Sequence, residues 1–124
     1  MAKRQSLEIA GYTHTNPVPL ACKVGNMLYT SSIFGQDVKT GKRADTREQQ
    51  AAFCFENLRL VMEQAGGTTE DVIMVTVYLT SEKSVGDAVN AAWLKMFPDE
   101  NARPARLNFT GEGDIRLQCV AVLD

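Results

Sequence analysis

The sequence predicts an α/β domain of the α+β kind, ordered β-β-β-α-β-α-β-β, with a mixed sheet and two helices on one of its faces. Three observations lead there. Apolar residues recur with helical period in two stretches, at Ala51, Phe55, Leu58, Met62 and Ala65 and again at Val85, Val89, Trp93 and Met96. Between them lies an almost unbroken apolar and β-branched run, Val72 through Leu79, which reads as a central strand covered on both faces. Short alternating segments bounded by glycine turns flank the whole. With 124 residues the chain forms a single domain, residues 1–124, large enough for one core and too small for two.

Each element follows from local chemistry. Leu7 and Ile9 alternate with polar neighbours as a first short strand ended by Gly11, and residues 12–19 form an irregular loop stiffened by Pro17 and Pro19. The dipeptide Gly25-Asn26 between apolar runs predicts a hairpin pairing residues 21–24 with 27–31. Asp45 followed by Glu48 resembles a capping box that opens a helix reaching Ala65, and Gly66-Gly67 ends it. In that helix Arg59 and Glu63 face water. Ser81 is the expected cap of the second helix, which Pro98-Asp99 stops. Trp93 belongs to its packing face. Residues 105–109 form a short strand, residues 110–113 a turn, and the alternation of Ile115, Leu117, Cys119, Ala121 and Leu123 with Arg116, Gln118, Val120 and Val122 the last strand.

Composition excludes several classes of function. A net charge of −2 with scattered Lys and Arg argues against nucleic acid as a partner. The basic start Met1-Ala2-Lys3-Arg4 has no apolar run behind it, so neither a secretory leader nor a membrane partner is expected, and the cytoplasm is the default location. Three dispersed cysteines, Cys22, Cys54 and Cys119, form neither a disulfide framework nor a zinc spacing, and with one histidine no metal site is expected. The same scarcity argues against a Cys-His nucleophile built from Cys22 and His14.

The residues with chemistry to offer are few. In Arg103-Pro104-Ala105-Arg106 the proline stiffens the entry to a strand, so Arg106 leaves a turn with little backbone freedom. Its guanidinium reads either as a carboxylate clamp or as one half of a structural salt bridge. Arg103 reads as serving the turn or a subunit contact. His14 lies in the stiff 12–19 loop, as a proton handler or as a solvated surface residue. Ser31 at a strand end offers a hydroxyl, and Asn90, in mid-helix against its propensity, implies a specific hydrogen bond near a sheet edge or loop. With both helices on one face, the other sheet face needs cover, and symmetric self-association is the ordinary way to supply it.

Taken together, Val24-Gly25-Asn26 with Leu28-Tyr29-Thr30-Ser31, Phe55-Glu56-Asn57-Leu58 with Ala65-Gly66-Gly67, Val75-Thr76-Val77-Tyr78-Leu79, Val89-Asn90 and Arg103-Pro104-Ala105-Arg106 resemble the Rid/YjgF family of reactive-intermediate deaminases over nearly the whole chain. The resemblance implies a chorismate-mutase-like fold and a homotrimer with clefts between its subunits. It also implies hydrolysis of 2-imino or 2-enamino acids to 2-keto acids and ammonia without metal or organic cofactor. By it Arg106 binds the substrate carboxylate, with Ser31 and Asn90 at the family's serine and asparagine positions. Val18 stands at the family's pocket tyrosine and Gln118 at its last-strand glutamate. With these two departures the resemblance implies a divergent branch with a different substrate, such as a larger, aminomuconate-like one, with His14 or Glu112 handling protons and Gln118 able to hold water. The alternative is a non-catalytic trimer that binds a metabolite or a partner protein. An endoribonuclease is a third reading, disfavoured by the acidic balance.

Overall fold

The Gly25-Asn26 turn sets the first pairing. In the computed structural model, which describes residues 3–124, β2 (Ala21–Val24) and β3 (Met27–Thr30) are antiparallel with Val24 opposite Met27, the register a two-residue loop dictates. Met1 and Ala2, at the head of the basic N-terminal stretch, lie outside the described residues. Around the hairpin are β1 (Gln5–Leu7), β4 (Ile33–Phe34), β5 (Gln36–Asp37), β6 (Lys42–Arg43), α1 (Arg47–Gln64), β7 (Val72–Leu79), α2 (Lys83–Met96), β8 (Ala105–Thr110) and β9 (Arg116–Val122). The main sheet runs β1-β2-β3-β9-β7-β8, with β4 also on β9. Its pairs are antiparallel except β7 with β8, the two strands that α2 connects. The mixed sheet is as predicted.

Strand alternation separates the two sheet faces. Leu117, Cys119 and Ala121 of β9 are buried, and they lie in register with the buried Val77, Val75 and Leu28. Both helices pack on this face. Ala51, Phe55, Leu58 and Met62 of α1 and Val85, Val89 and Trp93 of α2 join those strand residues in one core, with Trp93 set edge-on to Phe55. Full burial of a Val, Leu or Ile side chain stabilises by roughly 1.5–3 kcal/mol, so this shared stripe holds the layers together.

Besides the short strands β4 to β6, which the predicted order lacks, sequence and structure differ in four places. The first cap is Thr46, whose hydroxyl accepts the Gln49 N–H at 3.1 Å, and not Asp45. Thr46 with Gln49 is an equally good capping pair one residue on. The second helix starts after Glu82, without a side-chain cap, and not at Ser81. The first strand ends at Leu7, although Ile9 is still buried in the core. Finally, β7 is covered on one face only within the chain. On the far face Tyr29 (54% exposed), Leu107 (47%) and Phe109 (49%) lie beside Met74, Tyr78, Val120 and Val122. With Thr76 and Gln118 set between them, these side chains make a largely apolar face of the kind that interfaces use.

The predicted end of α1 is as expected. Gly66 takes a φ of 85°, and the Gly67 N–H returns to the Met62 carbonyl at 2.9 Å. Arg59 lies on the exposed side of α1, bonded to Glu56 and Glu63.

Candidate functional site

The loop of residues 12–19 is held by side chains buried beneath it. Tyr12 accepts the Phe34 N–H on its hydroxyl at 2.8 Å. Gln36, itself buried, accepts the Thr13 N–H at 2.9 Å and donates to the Thr13 carbonyl at 2.6 Å. The bend between β4 and β5 is fixed from the other side. Asn57, fully buried on α1, donates to the carbonyls of Phe34 and Gln36 at 3.0 and 2.9 Å. Gly35 permits this closeness, since a Cβ there would lie 2.5 Å from the Gln50 carbonyl oxygen. Every buried polar group in this support is paired, as a rigid cleft wall requires.

Above this support is an open cleft of about 590 Å³, lined by Tyr12, His14, Val18, Ser31, Phe34 and Arg43 among others. Ser31 sits where β3 has just ended; its N–H donates to the Leu20 carbonyl at 2.9 Å, and its hydroxyl has no partner among the described residues. Val18 is half exposed. Arg43 lies 3.9 Å over the Phe34 ring and bonds Asp114 at 2.7 Å, an ion pair that holds the Asp114 carboxyl below its usual range.

His14 has an unusual pair of neighbours. Its Nε2 is 3.0 Å from a Glu8 carboxylate oxygen and its Nδ1 is 3.0 Å from the Asn16 carbonyl. Both partners are acceptors. A neutral imidazole carries one N–H and one lone pair, so only the doubly protonated ring satisfies both contacts. The hydrogen bond to Glu8 accordingly raises the pKa above the ordinary 6.5, with the Asn16 bond adding to it. In this arrangement His14 is an acid, with no lone pair free to act as a base.

Arg106 lies elsewhere on the chain. It projects from β8, the edge strand, on the helix side of the sheet, opposite Val75. Its Nε donates to Asn108 Oδ1 and its Nη1 to Asn90 Oδ1, both at 2.9 Å, and its guanidinium carbon is 5.1 Å from the Trp93 ring centroid. No carboxylate pairs with it among the described residues. The salt-bridge reading of Arg106 therefore has no partner among the described residues. Partial burial pushes its pKa down, yet a guanidinium stays charged, so this is a desolvated, oriented cation without a counter-ion. The hydrogen bond expected of Asn90 is this one. Arg103 instead bonds the Phe97 carbonyl at 2.8 Å, closing the end of α2 as a turn residue.

The chain thus brings His14, Val18 and Ser31 into one cleft and Arg106 with Asn90 to a second place. Glu112, exposed on the β8–β9 turn, lines a groove with Arg47, Ser81 and Glu82. Gln118 is on β9 opposite Thr76, on the face away from the helices. Sequence reasoning missed Asn108, although its i+2 spacing from Arg106 on a predicted strand placed both on one face. It also missed Gln36, Gln50 and Asn57, whose partners are too distant in sequence to be inferred. Among the described residues no group of three His, Cys, Asp or Glu side chains could hold a metal, and no helix is long and apolar enough to cross a membrane. Burial raises the thiol pKa of Cys54 and pushes that of Cys119 up to about 12.

Comparison with known proteins gives a consistent result. The model of the family described as endoribonuclease L-PSP matches residues 9–111. A RutC family protein of Aquifex aeolicus is 30% identical over 96 residues, covering 73% of this chain and 76% of that protein. A 2-iminobutanoate/2-iminopropanoate deaminase of Salmonella typhimurium is 35% identical over 86 residues, covering 67% and 65% respectively. Among solved structures, RidA of an Antarctic Psychrobacter superposes with a TM-score of 0.83 at 26% identity, covering 99% of this chain and all of that one.

Proposed function

The chain belongs to the endoribonuclease L-PSP, or Rid/YjgF, family, and on that premise we propose that it hydrolyses a carboxylate-bearing 2-imino or 2-enamino acid to a 2-keto acid and ammonia. The observation that carries the reading is Arg106, a half-buried guanidinium held by two amides and lacking any anionic partner among the described residues. Burying an unpaired cation is unfavourable, and a substrate carboxylate supplies the missing charge. We further propose that the working form is a homotrimer in which the open sheet faces meet, so that Arg106 and Asn90 of one copy face the His14, Val18 and Ser31 cleft of another. Its proposed setting is the cytoplasm, where thiols such as these three stay reduced.

The chemistry asks little of the protein beyond placement. The imine carbon is already electrophilic. With the carboxylate on Arg106, a water adds its oxygen to that carbon and gives up one proton while the imine nitrogen takes one. The amino group of the tetrahedral adduct then takes a second proton and leaves as ammonia, while the hydroxyl loses one to leave the keto group. His14, held as an imidazolium by Glu8 and Asn16, is the candidate acid for the nitrogen, with Glu112 the alternative proton handler. The Ser31 hydroxyl is free to hydrogen-bond the substrate. Gln118 can hold water through its amide but cannot take up its proton. Val18 presents an apolar wall with room for a substrate larger than the simplest imino acids, such as an aminomuconate-like one.

One observation favours a second reading, a trimer that binds a metabolite or partner without turnover. The only histidine has both ring nitrogens engaged and Gln118 is no base, so neither of these two can accept the proton of the attacking water. Ribonuclease activity is disfavoured by the net charge of −2 and scattered basic residues. Ammonia release across a panel of freshly generated 2-imino acids separates the readings. Sustained release with stoichiometric keto acid is expected; saturable carboxylate binding without release would leave only the second.

A further inference from the structure

Two amides frame Arg106, and the orientation of each is dictated. Arginine has donors only, so the oxygens of Asn90 and Asn108 must face it and their NH₂ groups must face away. Neither NH₂ group has a partner among the described residues. Of the guanidinium's five N–H groups, the one on Nε is taken by Asn108 and one on Nη1 by Asn90. A carboxylate can engage arginine in a fork either along the Nε/Nη2 edge or across the two Nη ends. Asn108 closes the first. Its backbone position makes this a built feature, because Arg106 and Asn108 are alternate residues of β8 and project to the same side of an edge strand. The side-chain groups left free there are donors: Nη2, the remaining N–H of Nη1, and two outward amide groups. A simple alkyl imino acid, with one carboxylate, leaves part of that donor set unused.

We propose that Asn108 determines specificity at this site: it forces the substrate carboxylate onto the Nη end of Arg106 and offers its own NH₂ to a second oxygen, selecting 2-imino acids whose side chain ends in a carboxylate or carboxamide. The proposal rests on the reading of Arg106 as the carboxylate clamp. It assigns to Asn108 a role in ligand choice and not in the fold, since the side chain is exposed and makes its one bond to Arg106.

Trp93 is the only tryptophan and lies under the guanidinium, so its fluorescence reports occupancy without any need for turnover. The stable keto products 2-oxobutanoate and 2-oxoglutarate serve as probes, one with an alkyl side chain and one with a second carboxylate. Wild-type protein is expected to bind 2-oxoglutarate about tenfold or more tighter, the scale of one hydrogen bond to a charged acceptor. Asn108→Leu is expected to bring the two affinities within about twofold, chiefly by weakening 2-oxoglutarate. Asn108→Thr, a good strand residue, provides a second variant with the same expectation should the leucine disturb folding. Arg106→Gln is expected to lose both ligands. Equal affinities in the wild type, or a preference that survives loss of the Asn108 amide, would overturn the proposal for Asn108 while the clamp stands. Undiminished binding of both probes to Arg106→Gln would instead remove the clamp, and the proposal with it.

Discussion

Replacing Phe109 by aspartate should break the proposed self-association. Phe109 is 49% exposed on β8, stacked on Tyr78 with ring centroids 5.4 Å apart, in the apolar area that includes Tyr29 and Leu107. An aromatic side chain of about 200 Å² so exposed leaves about 100 Å² for a partner, worth roughly 2.5 kcal/mol per subunit at about 25 cal/mol per Å². Aspartate forfeits that and adds the penalty of an unpaired charge in a closed interface, several kcal/mol more. Within the isolated chain the same change loses the stacking on Tyr78, about 0.5–1.5 kcal/mol at a half-exposed edge position, so the fold should survive. Light scattering on the eluting protein is the assay, with the wild type at roughly three times the 13.6 kDa chain mass and Phe109→Asp at one chain mass. Leu94→Asp is the control, because Leu94 is equally exposed, at 50%, but on α2. A wild type that elutes as a stable single chain, or a Phe109→Asp protein with undiminished mass, would refute the reasoning.

Two further outcomes follow from the cleft. His14, the only histidine, should give one imidazole titration by proton NMR with a midpoint above 6.5, and Glu8→Gln should bring it down towards that value. Because the folded-state pKa is the higher one, the stabilisation is fully present below pH 6.5 and is lost as pH rises through the folded value; a midpoint at or below 6.5 would contradict the geometry. Asn57→Ala should cost about 2–4 kcal/mol in urea unfolding, since the buried carbonyl of Gln36 and the partly buried one of Phe34 lose their shared donor. A loss under about 1 kcal/mol would mean that the β4–β5 bend is held by other contacts.

What could be read beforehand was whatever local chemistry decides. The hairpin register follows from Gly25-Asn26, the α1 stripe from its spacing, and the end of that helix from the left-handed Gly66. The hydrogen bond of Asn90 was legible because a mid-helix asparagine needs a reason. The first cap slipped by one because Asp45 and Thr46 are both good capping residues, whereas the second helix starts after Glu82 in spite of the better local cap at Ser81. Strands of two residues, β4 to β6, are too short to show any period. The polar support under the cleft was illegible for another reason. Gln36 and Thr13 are 23 residues apart, and Gln50 reaches Ile115 across 65, so no pattern along the chain announces them. The candidate residues were legible one by one but not as a place, because the chain carries His14, Val18 and Ser31 apart from Arg106 and Asn90.

The central claim is that Arg106 holds the carboxylate of an imino acid undergoing hydrolysis. The most direct measurement compares ammonia release by wild type and Arg106→Ala on the same freshly generated 2-imino acid, with the unfolding midpoints of both proteins recorded alongside. An intact fold with turnover reduced at least a hundredfold is predicted, since the lost bidentate pair orients as well as binds. Undiminished turnover by Arg106→Ala would contradict it.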